Sequence, residues 1–107
     1  MLEISVRKVA QVALMARELG RAEGELRGFI DTLTEEEATS LVAVMWIGRD
    51  SFSADELEAA IATAANEATT PASEYLIGTP LLADHLEAGL EALGLSASEE
   101  EDDLMRP

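Results

Sequence analysis

Residues 34–48, TEEEATSLVAVMWIG, leave this chain few options. Thr34 stands three residues before Glu37, the spacing at which a hydroxyl and a carboxylate satisfy each other's free amides at the start of a helix. Glu35 and Glu36 add negative charge at the positive end of the helix dipole. Behind that start, residues 41–47 are apolar on nearly every side, which suits an element surrounded by others. A buried strand is the competing reading, because valine and tryptophan favour sheets. The cap, the length and the lack of any other strand candidate decide for a helix that Gly48 stops and that occupies the centre of the fold.

The same punctuation recurs along the chain. Ser5 caps a helix whose apolar stripe is Val6, Val9, Val12, Ala13, Ala16 and Leu19, with Gly20 as its stop. A second helix spans about 23–33 and buries Leu26, Phe29 and Ile30, weakened by Gly24 and Gly28. Ser53 and Glu56 open a helix with a stripe of Leu57, Ala60, Ile61, Ala64 and Ala68. Thr70 and Pro71 open a short helix with Gly78 at its end, and Thr79 and Pro80 open the last one in the same way. The last helix buries Leu82, Leu86, Gly89, Leu90 and Leu93, turns Asp84, Glu87 and Glu91 outward, and is closed by Gly94. Gly-Thr-Pro at 78–80 therefore reads as a corner: Gly78 supplies a left-handed residue, the Thr79 hydroxyl satisfies an orphan amide, and Pro80 keeps Thr79 out of helical geometry. The expected fold is all-α, a compact orthogonal array of five to six helices in one domain over 1–95. A disordered acidic C-terminal tail is expected over 96–107, where periodicity stops and five acids run together.

Length and charge exclude several functions. With 107 residues, 48% of them hydrophobic, the chain can build one core but not two. No cysteine is present, so disulfides, thiolate nucleophiles and cysteine-held metals are out, and a reducing cytoplasm suits the composition. The first residues do not read as a signal peptide, since Glu3 and Gln11 break the apolar run, and nothing is long enough to span a membrane. Net charge is −15, and no Lys or Arg falls between Arg49 and Arg106. Such a surface repels nucleic acid and anionic lipid and favours a basic protein partner.

Candidate sites are few. His85, the sole histidine, has no nucleophile motif to serve and no Glu three residues before it, the spacing that di-metal bundles use; a boundary position between apolar and polar faces explains it. Asp84, Glu87 and Glu91 read as a solvated face, so neither a metal nor a cofactor is expected. Trp46 and Arg49, one turn apart at the end of the central helix, form an aromatic–arginine pair of the kind enriched in recognition sites, or else a core tryptophan and a residue capping the helix dipole. Glu74 and Tyr75 lie near the 78–80 corner and are the expected partners of Arg49, in a stretch where basic residues are scarce. Leu14 and Met15 fall off the first helix's stripe and are either an interface, hence a homodimer, or ordinary exposed apolar residues.

The segments MLEIS, LRGFIDTLTEEE leading into LVAVMWIGR, and EYLIGTPLLADHLEAGL resemble a family of small bacterial proteins catalogued as domain of unknown function 3775. The resemblance implies a bacterial, cytoplasmic helical protein and carries no activity. Trp46, Gly48, Arg49, Glu74, Tyr75, Gly78, Thr79, Pro80 and Asp84 match its pattern. Three departures stand out: Asp50 where members often have Gly, His85 where Tyr is usual, and a shorter connection between Gly20 and Gly24. The function expected is a non-enzymatic protein-interaction or regulatory domain. Its rivals are a small-molecule pocket or enzyme where Trp46–Arg49 meets the 74–80 corner, and a mimic of nucleic acid.

Overall fold

Ser5 accepts a hydrogen bond from the Lys8 amide at 3.1 Å and starts α1, Val6–Arg17. In the computed structural model, which describes residues 2–18, 23–67 and 70–95, the elements that follow are α2 (Glu23–Asp31), α3 (Glu35–Gly48), a 3₁₀ turn (Ala54–Glu56), α4 (Leu57–Asn66), α5 (Ala72–Ile77) and α6 (Leu82–Ala92). There is no strand among the described residues. The expectations for Leu19, Gly20, Ala68 and the tail over 96–107 lie outside them.

α3 is the hub. Its start is the reciprocal cap expected of Thr34 and Glu37, with the Glu37 amide 3.1 Å from the Thr34 hydroxyl and the Thr34 amide 3.0 Å from the Glu37 carboxylate. From Ser40 to Met45 every residue is buried, and α6, α4 and α5 all pack against it. α1 lies against α6 and α2, and α2 against α5. Leu26, Leu41, Met45, Leu76, Leu86, Val9, Val12 and Val44 are fully buried and come from five of the six helices. Each such side chain contributes about 1.5–3 kcal/mol by leaving water.

Two polar links fasten the periphery. Before α1, Ile4 is buried and the Glu3 amide donates to the Oγ of Ser40, itself fully buried in α3. Ser73 of α5 donates to the Asp31 carboxylate of α2 at 2.7 Å.

The closest approach is between α3 and α6. A Cβ added to Gly48 would overlap the His85 carbonyl and lie 2.8 Å from the Gly89 amide, and one added to Gly89 would overlap the Val44 carbonyl. The two glycines let the backbones touch. Gly48 is the last helical residue of α3, where the sequence ends it; Arg49 is the C-cap, and the left-handed residue is Asp50, with φ 67°. The Asp50 amide reaches the Ile47 carbonyl and the Ser51 amide the Trp46 carbonyl, the paired bonds of a Schellman ending. α6 ends in the same way, and there the left-handed residue is the expected Gly94, at φ 74°.

The 78–80 corner is a corner built differently from the expectation. Gly78 has a right-handed φ of −77°, and the left-handed residue is Leu81, at φ 58°. Thr79 does not cap α6. Its hydroxyl points back and donates to the Tyr75 carbonyl at 2.9 Å, because the end of α5 offers an unsatisfied acceptor beside this buried hydroxyl. α6 begins two residues after Pro80 without a side-chain cap. Ser53 and Glu56 do form a capping pair, but on the 3₁₀ turn that leads into α4.

Candidate functional site

Along one face of α3 the burial relaxes at Glu35, Ala38, Thr39 and Trp46, residues at helical spacing with the buried Val42 among them. The end of α4, represented by Ala64 and Glu67, and the segment from Thr70 to Ala72 with Tyr75 stand opposite, leaving a cleft of about 380 Å³. α4 contributes space because the side chain it places at the cleft is small: Ala64 is buried there, where a larger side chain would fill the gap. Pro71, just ahead of α5, brings the wall across.

Trp46 and Tyr75 close one end together. The indole Nε1 donates to the Tyr75 hydroxyl at 2.9 Å, which satisfies the only polar atom of the indole and leaves the tyrosine proton free to donate. Phe52 stacks on Trp46 with ring centroids 5.7 Å apart and an interplanar angle of 23°. Tyr75 stays 38% exposed. The remaining wall is alanine, valine and proline carbon with the threonines Thr39 and Thr70, and the charged lining residues are Glu35 and Glu67, with no lysine or arginine among them. The Thr39 hydroxyl donates to the carbonyls of Glu35 and Glu36. No histidine is among the lining residues, and the arrangement offers a largely apolar receptacle with two carboxylates.

Of the residues singled out from the sequence, Trp46 and Tyr75 meet here. The others do not line the cleft. Arg49 is at the C-cap of α3, exposed, with its Nε donating to Ser51 at 3.3 Å; among the described residues no ion pair joins it to Glu74, which is exposed on α5. Asp84 and Glu87 both reach Arg17 of α1, Asp84 at 3.4 Å, so two of the acids read as a solvated face also bridge two helices. His85 is half-buried, and among the described residues its ring makes no hydrogen bond or ion pair. Leu14 is 62% exposed, whereas Met15 packs against the core, so the off-stripe pair does not form one patch.

Sequence reasoning missed Glu35, Ala38, Thr39, Val42, Ala64 and Glu67. The signal was present in the i, i+3, i+4, i+7 run of α3, but a helix apolar on all sides does not reveal which side its neighbours leave open. A carboxylate with lowered proton affinity lies away from the cleft, at Glu37, where the Lys8 ammonium and the Thr34 amide hold it below its ordinary value. Among the described residues no group of three His, Asp and Glu side chains is placed to hold a metal ion, and no helix is long and apolar enough to cross a membrane.

A family model described as "Protein of unknown function (DUF3775)" matches residues 23–95. That span holds α2 to α6, the cleft and the Gly48–Gly89 approach, while α1 lies before it. No curated protein and no solved structure matches the chain. The chain belongs to this family of unknown function.

Proposed function

We propose that this member of the family is a non-catalytic interaction module that seats a basic segment of a partner polypeptide in the cleft between α3, α4 and α5. The observation that carries the reading is the composition of that cleft: an aromatic end, apolar walls, two carboxylates and no cation. A net charge of −15 steers a basic partner toward it and accelerates encounter. The cysteine-free composition suits work in a reducing compartment. Selection of a random peptide library against the native protein tests it. Selected peptides are expected to be rich in Lys and Arg, to lose affinity several-fold as salt rises from about 30 to about 300 mM and screens the charges, and to fail to bind Ala38→Phe, which fills the cleft. Peptides that bind that variant as well as the native protein would overturn the reading.

A second reading is favoured by size alone. About 380 Å³ lies within the range of small-molecule sites. A metabolite that raises the melting temperature of the native protein, and not that of Ala38→Phe, would replace the polypeptide.

A further inference from the structure

The residues that α3 gives to the cleft form one stripe along the helix, with Glu35 at one end and Trp46 at the other. Between those two the helix rises about 16 Å, so the cleft is long and its ends differ in chemistry. Glu35 stands in the first turn of α3, and its carboxylate has no hydrogen bond or ion pair among the described residues. At the far end Trp46 meets Tyr75, whose hydroxyl accepts from the indole and keeps a proton to give. Along the stripe between them stand Ala38 and Val42, which offer carbon, and Thr39, whose hydroxyl proton is already given to the carbonyls of Glu35 and Glu36.

A cleft of about 380 Å³ drawn out over that length is much narrower than an α-helix with its side chains, about 10–12 Å across. A helix lies over such a cleft and not in it. An extended chain is slim enough, and at about 3.3 Å per residue it covers the distance from Glu35 to Trp46 in about five residues. Charge fixes one end of it: the lining holds carboxylates and no lysine or arginine, so the side chain beside Glu35 is basic. The aromatic end takes an apolar side chain, and the Tyr75 proton goes to a carbonyl oxygen, an acceptor that a peptide carries at every residue and an alkylamine lacks. We infer that the cleft is filled by an extended segment of a partner polypeptide with a basic residue at Glu35 and an apolar residue at Trp46 and Tyr75, about four to five positions apart. This rests on the interaction reading above and adds the conformation and the spacing of the occupant.

Titration calorimetry gives the affinities, and Trp46, the one tryptophan of the chain, reports by its emission on the aromatic end. The full chain is titrated at low salt with acetyl-Lys-Ser-Ala-Ser-Ala-Leu-amide and with the reversed order, acetyl-Leu-Ala-Ser-Ala-Ser-Lys-amide. The comparisons are acetyl-Ser-Ala-Lys-Leu-Ser-Ala-amide, of equal composition and charge with its two anchors side by side, and decylamine. One of the two spaced peptides is expected to shift the emission and to bind at least fivefold tighter than the side-by-side peptide. Glu35→Gln, which leaves the cap between Thr34 and Glu37 in place, is expected to bring the two within twofold of each other. Equal affinity of the spaced and side-by-side peptides for the native protein overturns the spacing, and their joint loss on Ala38→Phe then keeps the cleft a site for basic segments. A preference that survives Glu35→Gln overturns the place given to the basic residue. Decylamine that binds as tightly as the better spaced peptide overturns the polypeptide occupant. No heat and no emission shift with any of the four overturns the extended segment, and the library selection then decides the wider reading independently.

Discussion

Asp50 carries a positive φ of 67° at the end of α3, and Leu81 one of 58° ahead of α6. An L-residue with a Cβ pays about 1–2 kcal/mol in that region, less for aspartate, whose short polar side chain tolerates it. Asp50→Gly is expected to stabilise the protein by about 0.5–1 kcal/mol, a rise of about 2–8 °C in melting temperature for a domain of this size. Leu81→Gly acts in the same direction, because the side chain is 67% exposed and gives up little burial. A calorimetric melt that moves down for both variants would refute the strain argument. Neither residue was legible as strained in the sequence. Gly78 drew the left-handed role at the 78–80 corner, although the backbone places it at Leu81, and nothing in the sequence pointed to Asp50.

Between elements, the glycines separate into two kinds that the sequence does not distinguish. Gly24 and Gly28 have open space where a Cβ would go, and Gly48 and Gly89 have the backbone of the opposing helix. Gly28→Ala, in the middle of α2, is expected to gain about 0.5–1 kcal/mol from helix propensity. Gly89→Ala has the same propensity gain and is expected to lose about 2 kcal/mol or more net, because the Val44 carbonyl cannot yield without moving α3. Urea melts of the two variants check the contrast, and equal shifts would deny the close approach. α1 is tied to α3 through Lys8 and Glu37. Glu37 binds its proton more weakly in the folded chain than its ordinary value implies. The stability it adds is therefore complete above the unfolded-state value of about 4.3 and disappears as pH falls through the lower folded value. Glu37→Gln is expected to remove that part of the acid-induced loss in melting temperature and to leave the remainder, contributed by other carboxylates.

For the whole molecule, the dominant physical quantity is charge. Ion pairs among the described residues engage Lys8 and Arg17 on exposed or half-exposed surfaces, where such pairs are worth about 0–1 kcal/mol, against the mutual repulsion behind a net charge of −15. Screening should thus favour the folded state. Raising sodium chloride from 10 to 150 mM, which shortens the Debye length from about 30 to about 8 Å, is expected to raise the melting temperature by several degrees, and a fall would mean that ion pairs outweigh repulsion. The radius of gyration, 13.0 Å, matches the value of about 13 Å for a compact chain of 100 residues. Helix identity, the caps at Ser5 and Thr34, the central place of α3 and the buried stripes of α1 and α6 follow from the sequence alone, because each depends on residues within one or two turns of one another. Which side of α3 stays open, which glycines touch an opposing backbone and where Arg49 points were decided only by tertiary packing. An all-round apolar helix carries no preferred face, and the partners that create one lie tens of residues away along the chain.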